Sequence, residues 1–413
     1  MLSDSRTKHL ILVPDGMADR PIPELGDRTP LAVAATPWMD RMASAGDIGL
    51  TRTVPEGMDP ASDVANLSIM GYSPIEIYTG RAPFEAASMG IDLDDSDLAF
   101  RLNLVTLEQN YTVMADHSAD HITSGEAVEL VESLRPMAES IGLLLYPGIS
   151  YRHLLVWRNG PTNCVTNPPH DFAGEPVDRY LPSGERADVL LRIIIKSWKI
   201  LEGHQVNQRR LMRGKGPANS VWPWGQGRPP RMKTLKERFG IEGSVVAAVD
   251  LMKGIGKYAG LDAVHVPGAT GYLDTNYEGK VQAALNVLRE KDFVFLHVEA
   301  PDEASHSGML DLKRRAIEEF DEKVAGPMLK GLEEFPHWRL LLLPDHHTPL
   351  ATRAHAPDPV PFILLDSRQW DPTHRQDMRV FSEEVARASG VMVEDATKMI
   401  EMLLETDREF ELK

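Results

Sequence analysis

Phe293-Val294-Phe295-Leu296-His297-Val298 runs directly into Glu299-Ala300-Pro301-Asp302-Glu303-Ala304-Ser305-His306. The first six residues are almost continuously apolar, as a strand needs when a parallel sheet is covered on both faces. An acid follows at once, with Asp302 just beyond. The same pattern recurs along the chain. His9–Pro14 stops at Asp15, Ser244–Val249 at Asp250, Arg339–Pro344 at Asp345, and Pro361–Leu365 at Asp366. Helical patterns lie between these runs, at Tyr277–Lys291 and Leu312–Glu334. Strands alternating with helices predict an α/β fold with a mostly parallel sheet. In such sheets the ligand crevice lies outside the carboxyl ends of the strands. Asp15, Asp302 and Asp345 are therefore expected at one edge, and Asp366 and Asp250 as solvated loop residues.

The middle of the chain reads differently. Residues 92–112 alternate more than they run, and a helical pattern follows at Ser124–Ile141. Then come the apolar run His153–Trp157, a proline turn at Asn167-Pro168-Pro169 and a long helix near Ala187–Gly203. This predicts an α+β domain inserted at about 83–210 into a core made of 1–82 and 211–413. Gly214–Pro230, rich in Gly, Pro and Trp, suits either a hinge or a packed loop. His153 is expected to be a packed histidine and His204 a surface one, with Ile193, Trp198 and Leu201 as core.

Composition narrows the function. The 413 residues, 42% hydrophobic and 25% charged, exclude a disordered or collagen-like chain. Net charge is 44 − 61 = −17, which argues against nucleic acid or an anionic membrane as partner. A small anionic substrate is compatible, because a local metal or arginine cluster outweighs a diffuse field. Cys164 is the single cysteine, so no internal disulfide forms and a reducing cytoplasm is expected. The early apolar run is too short for a signal peptide, and no run approaches the roughly 20 residues of a membrane span.

Asp302 and His306, four apart, fall on one face of a helical turn and can hold one ion together. Asp345-His346-His347 forms a second cluster after another strand, and His355 a short loop later could close the first site. His and carboxylate ligands without Cys suit manganese, zinc, iron or cobalt. A two-metal site suits phosphoryl transfer. A protein nucleophile would then sit on a turn near one ion. Ser62, in Pro60-Ala61-Ser62-Asp63-Val64-Ala65-Asn66, is the candidate; the alternative is a plain helix N-cap.

Together these residues resemble the alkaline phosphatase superfamily, and within it the archaeal-type cofactor-independent phosphoglycerate mutases. The similarity covers nearly the whole chain. It runs through Leu12-Val13-Pro14-Asp15-Gly16-Met17, Gly26-Asp27-Arg28-Thr29-Pro30-Leu31, Ser62–Ser68, Tyr78-Thr79-Gly80-Arg81-Ala82-Pro83, Val298–Glu303 and Pro344-Asp345-His346. The resemblance implies two divalent ions, Mn2+ foremost, with Zn2+, Co2+ or Mg2+ as alternatives. It implies Asp302, His306 and His355 around the first, and Asp15, Asp345, His346 and the Ser62 oxygen around the second. It further implies a phosphoserine at Ser62, interconversion of 2- and 3-phosphoglycerate without bisphosphoglycerate, and an inserted domain that grips the substrate. Excluding water from such a phosphoserine calls for a domain that closes.

The substrate carboxylate needs cationic partners. Arg152 is the candidate within the insert, because an arginine fork can bind a carboxylate through two hydrogen bonds. His170 and Asp171 would serve hydroxyls or proton transfer, and Lys257 could approach the phosphate. One branch of the family is held to be a homoserine kinase. Val54–Met58 and Asn219–Gly227 look like that branch, yet the chain has no Walker-type loop or kinase glycine loop. The alternatives are thus a homoserine kinase-like phosphotransferase, a metal-dependent phosphatase, or a non-catalytic metal-stabilised protein. Loss of Ser62 or of a ligand would have favoured the last, and all are present.

Overall fold

The computed structural model describes residues 6–371, 373 and 379–405. The chain divides into two compact units. One draws on the chain up to Tyr78 and again from Met232, the other on Thr79–Arg231.

The first unit is built on an eight-stranded sheet. Its strands lie in the order Asp262–Val264, Gly243–Val246, Phe293–Val298, Lys8–Pro14, Trp338–Leu342, Val360–Asp366, Asp47–Thr51 and Met392–Val393. All five apolar runs are in it, and the fold is α/β with a mostly parallel sheet. Leu10, Leu12, Leu296, Leu340 and Leu342 pack on one face against Val281, Leu285, Ile317, Phe320 and Leu329 of helices Tyr277–Glu290, Leu310–Phe320 and Gly326–Leu332. The alternating residues Ile11, Val13, Phe295 and Leu341 are equally buried, so both faces are covered. Each such side chain contributes about 1.5–3 kcal/mol of burial free energy.

Register brings the acids together. Pro14 pairs with Val298, and Leu12 with Leu342, so the chain leaves three neighbouring strands at one edge just before Asp15, Asp302 and Asp345. One strand runs the other way. Val360–Asp366 is antiparallel to both neighbours, which sets Asp366 opposite Arg339 at the amino ends of the parallel strands. Asp366 is therefore no solvated loop residue. It is buried and paired with Arg339 and Arg368. Asp250, half-exposed at the start of helix Asp250–Tyr258, pairs with Lys253.

The second unit has an antiparallel sheet in the order Val113–Asp116, Leu98–Glu108, Arg152–Trp157 and Leu143–Tyr146. Helices Ser124–Glu139 and Ala187–Glu202 pack on it through Leu130, Leu134, Ile193 and Leu201. Within the segment expected to be a hinge or a packed loop, Ser220–Gly227 is instead a strand. Ser220–Gly227 pairs with Leu98–Glu108, and the unit reaches Arg231. The physical reason lies in its side chains. Trp222 is buried and donates to the Asn167 carbonyl; Trp224 donates to Asn103. Pro223, lacking an N–H, is tolerated because the strand is an edge. His153 is packed as expected, and burial pushes its pKa down to about 3. His204 caps the helix Gln205–Met212. Among the described residues no helix is long and apolar enough to cross a membrane.

Candidate metal centre

Two sharp turns build the centre. After Phe293–Val298 the chain enters helix Ala300–His306, with Pro301 in its first turn, where a missing N–H costs nothing. Asp302 and His306 then share one face, with His306 Nε2 3.0 Å from Asp302 Oδ2. The loop after Trp338–Leu342 carries Asp345, His346 and His347. His347 bridges both to Met17 and to Ala356, drawing the Asp15 and His355 loops alongside.

Among the described residues the candidate ligand atoms converge in two groups that share one residue. Asp302, His346 and His355 form the first, and Asp15, Asp345 and His346 the second, with the atoms of each within 4.8 Å of one another. His306 joins the first through His355, Nε2 to Nε2 at 3.0 Å. The His346 and His355 rings stack at 3.9 Å. His346 Nε2 is 3.5 Å from both Asp15 Oδ1 and Asp345 Oδ2.

Ser62 opens the helix Ser62–Ile69 as its first residue and is not the N-cap, a position Ala61 takes. Its hydroxyl instead lies 3.2 Å from His346 Nε2. Asn66, one turn on, donates to the Ser62 carbonyl and to Asp345 Oδ2, both at 2.8 Å. That i, i+4 spacing was visible in the sequence. His297 was hidden inside its apolar run, yet its Nε2 is buried 3.3 Å from Asp15 Oδ2.

Three buried carboxylates face one another here, and their electrostatics call for a cation. Burial, with the charges of Asp345 and Asp302, pushes Asp15 well above the usual carboxylate range. Asp15 Oδ1 is buried with no hydrogen-bond partner. Burial works against Asp302, but hydrogen bonds with His306 and His355 hold it well below its ordinary value. The same bond to Asp302 raises His306 to about 9. Burial lowers His346 and brings His297 down to about 4, which keeps neutral imidazoles beside the acids. The unpartnered Asp15 oxygen and the neutral imidazole nitrogens fit divalent ions that accept both N and O donors.

Residues 43–207 match the profile of the 2,3-bisphosphoglycerate-independent phosphoglycerate mutases. A relative from Geobacter sulfurreducens, described as a probable enzyme of that name, is 50% identical over 400 residues, 96% of this chain and all of the relative. The chain belongs to the 2,3-bisphosphoglycerate-independent phosphoglycerate mutase family. Two solved structures agree. A Pyrococcus horikoshii protein superposes with a TM-score of 0.80 at 32% identity, over 98% of this chain and 99% of its own. The cofactor-independent phosphoglycerate mutase of Thermoplasma acidophilum gives 0.63 at 26%, over 97% and 99%.

The remaining candidates of this mutase-family chain lie elsewhere. Lys257 is exposed on Asp250–Tyr258, the helix that packs against the Ser62 helix. In the second unit Arg152 is exposed, its guanidinium 5.6 Å from the Tyr151 ring. His170 Nε2 is 3.6 Å from Asp171 Oδ1, and its ring meets His117 and Trp224 edge-on. Arg101 shares the Trp224 ring with His170. It is buried, stacks 4.1 Å over Trp224 and pairs with Glu85. Burial lowers its pKa, and the charges of Arg81 and Arg152 act the same way.

Proposed function

We propose that this chain interconverts 2-phosphoglycerate and 3-phosphoglycerate without bisphosphoglycerate, through a phosphoserine at Ser62. The observation that carries the reading is the half-buried Ser62 hydroxyl at the start of a helix, 3.2 Å from His346 within a buried set of carboxylates and imidazoles. Asp302, His306 and His355 would hold one divalent ion, and Asp15, Asp345, His346 and Ser62 Oγ the other. Bound there, the pair of ions would supply the positive charge that lowers the hydroxyl pKa and offsets charge on the phosphoryl oxygens. Mn2+ is the proposed metal, with Zn2+, Co2+ and Mg2+ to be compared by reconstitution.

Ser62 Oγ attacks phosphorus in line; its new bond to phosphorus replaces the bond to the substrate oxygen, which takes a proton. The other glycerate hydroxyl then reverses the transfer, and Ser62 regains its proton. Asn66 holds the Ser62 backbone and Asp345 while this happens. Arg152, with His170 and Asp171, is assigned the carboxylate and hydroxyls of the glycerate, and Lys257 the phosphate. The second unit is in this reading the substrate-gripping domain. The reaction belongs to glycolysis and gluconeogenesis, with a cytoplasmic setting.

The test is a paired assay on one Mn2+-loaded preparation. One arm follows 3-phosphoglycerate to 2-phosphoglycerate without bisphosphoglycerate; the other supplies ATP and homoserine. Interconversion in the first arm alone is expected. Phosphohomoserine formation without interconversion, or release of inorganic phosphate only, would overturn the reading.

A further inference from the structure

Thr348 touches both halves of the centre. It is fully buried, two residues beyond His346, and its hydroxyl lies 2.5 Å from Asp302 Oδ1 and 3.2 Å from His346 Nδ1. A hydroxyl has one proton to donate. An ionised carboxylate only accepts, and 2.5 Å is the length of a hydroxyl bond to such a group. The proton therefore goes to Asp302. Towards His346 the oxygen can only accept, so Nδ1 must carry the ring proton. Nε2 is then bare, facing Ser62 Oγ at 3.2 Å and Asp15 and Asp345 at 3.5 Å.

The hydroxyl is held in place from several sides. The Thr348 N–H donates to the Ala18 carbonyl at 3.1 Å, and the Thr348 carbonyl accepts from Lys313 Nζ at 2.9 Å. Gly16 closes the remaining side. A Cβ there would stand 2.6 Å from Thr348 Oγ1 and 2.3 Å from Asp302 Oδ1.

We propose that Thr348 is a positioning residue that sets the tautomer of His346 and the orientation of Asp302, so that a single hydroxyl readies one ligand in each half of the metal centre. The inference rests on the two-ion reading above, but its first readout needs neither metal nor substrate. Groups that orient ligands in this way typically change metal affinity by about ten- to a hundredfold when removed.

The full-length metal-free protein, labelled with 15N-histidine at pH 7.5, reports the tautomer through two-bond nitrogen–proton correlations. The His346 signals are assigned by their loss in His346→Gln. The expected wild-type pattern is a protonated Nδ1 and a bare Nε2. Thr348→Val, which removes the hydroxyl at constant shape, should mix or reverse the tautomers and weaken Mn2+ binding about ten- to a hundredfold; Thr348→Ser should restore both. A wild-type Nε2 that carries the proton would overturn the proposal, even if Thr348→Val failed to fold. So would a folded Thr348→Val with unchanged tautomer and Mn2+ affinity. A protein with the expected tautomer and no mutase activity would refute the function while leaving this assignment standing.

Discussion

Ser62 Oγ lies 3.2 Å from His346 Nε2, although 284 positions separate the two residues in sequence. The hydroxyl sits where a helix begins, beside the imidazole that both acid groups share. Ser62→Ala removes only this oxygen from a half-buried position. The fold and Mn2+ binding at Asp302, His306 and His355 should survive. Interconversion should fall by roughly 10⁴-fold or more, as loss of a covalent nucleophile does. Substantial turnover by the variant would mean direct transfer between substrates.

Gly16 adopts φ +60°, and an added Cβ would meet Asp302 Oδ1 at 2.3 Å. Gly16→Ala should lose about 1–2 kcal/mol to the left-handed backbone alone, with the displacement of Asp302 added to it. Denaturant unfolding and Mn2+ titration should both register the change. A variant with wild-type stability and affinity would show that the loop can shift freely.

Lys313 is a fully buried ammonium that donates to Ala18 O, Asp19 Oδ2 and Thr348 O at 3.1, 2.8 and 2.9 Å. Lys313→Met leaves the Asp19 carboxylate buried without its cation, and should cost on the order of 3–5 kcal/mol. Adding Asp19→Asn should recover part of that loss. Equal stabilities of the single and double variants would exclude the charge argument.

His306 carries a pH signature. Its folded pKa of about 9 exceeds the ordinary 6.5. In the metal-free protein its pairing with Asp302 therefore stabilises the fold fully below about pH 6.5, and the contribution is lost as pH rises through about 9. Ligation needs the neutral ring, so Mn2+ binding expels the proton. Adding Mn2+ at pH 7.5 in weak buffer should release protons, and the release should fade above about pH 9. His306→Gln should reduce it; identical release would place the titrating group elsewhere.

Arg152 tests the role of the second unit. Losing a charge-assisted carboxylate contact removes about 1.5–3 kcal/mol, on the order of ten- to a hundredfold in activity. Arg152→Ala should lower mutase activity by that factor while Mn2+ affinity holds. Weaker retention of glycerate should also raise the ratio of released phosphate to 2-phosphoglycerate. Unchanged activity and an unchanged ratio would make Arg152 a surface charge.

Local sequence was sufficient wherever the determining physics is local. Doubly covered strands must be apolar without interruption, so Lys8–Pro14, Phe293–Val298 and Trp338–Leu342 were legible, as was the edge where Asp15, Asp302 and Asp345 emerge. Helical spacing likewise put Asp302 beside His306. Long-range pairing decided the rest. An apolar run has no direction, so only the ladder revealed that Val360–Asp366 runs backwards and buries Asp366 against Arg339. Composition could not tell a hinge from an edge strand at Ser220–Gly227, because the partners of Trp222 and Trp224 lie 55 and 121 positions away. The sharing of His346 between two acid groups, the approach of His297 to Asp15 and the Thr348 bridge between Asp302 and His346 all depend on side chains from loops that meet only once the sheet is assembled.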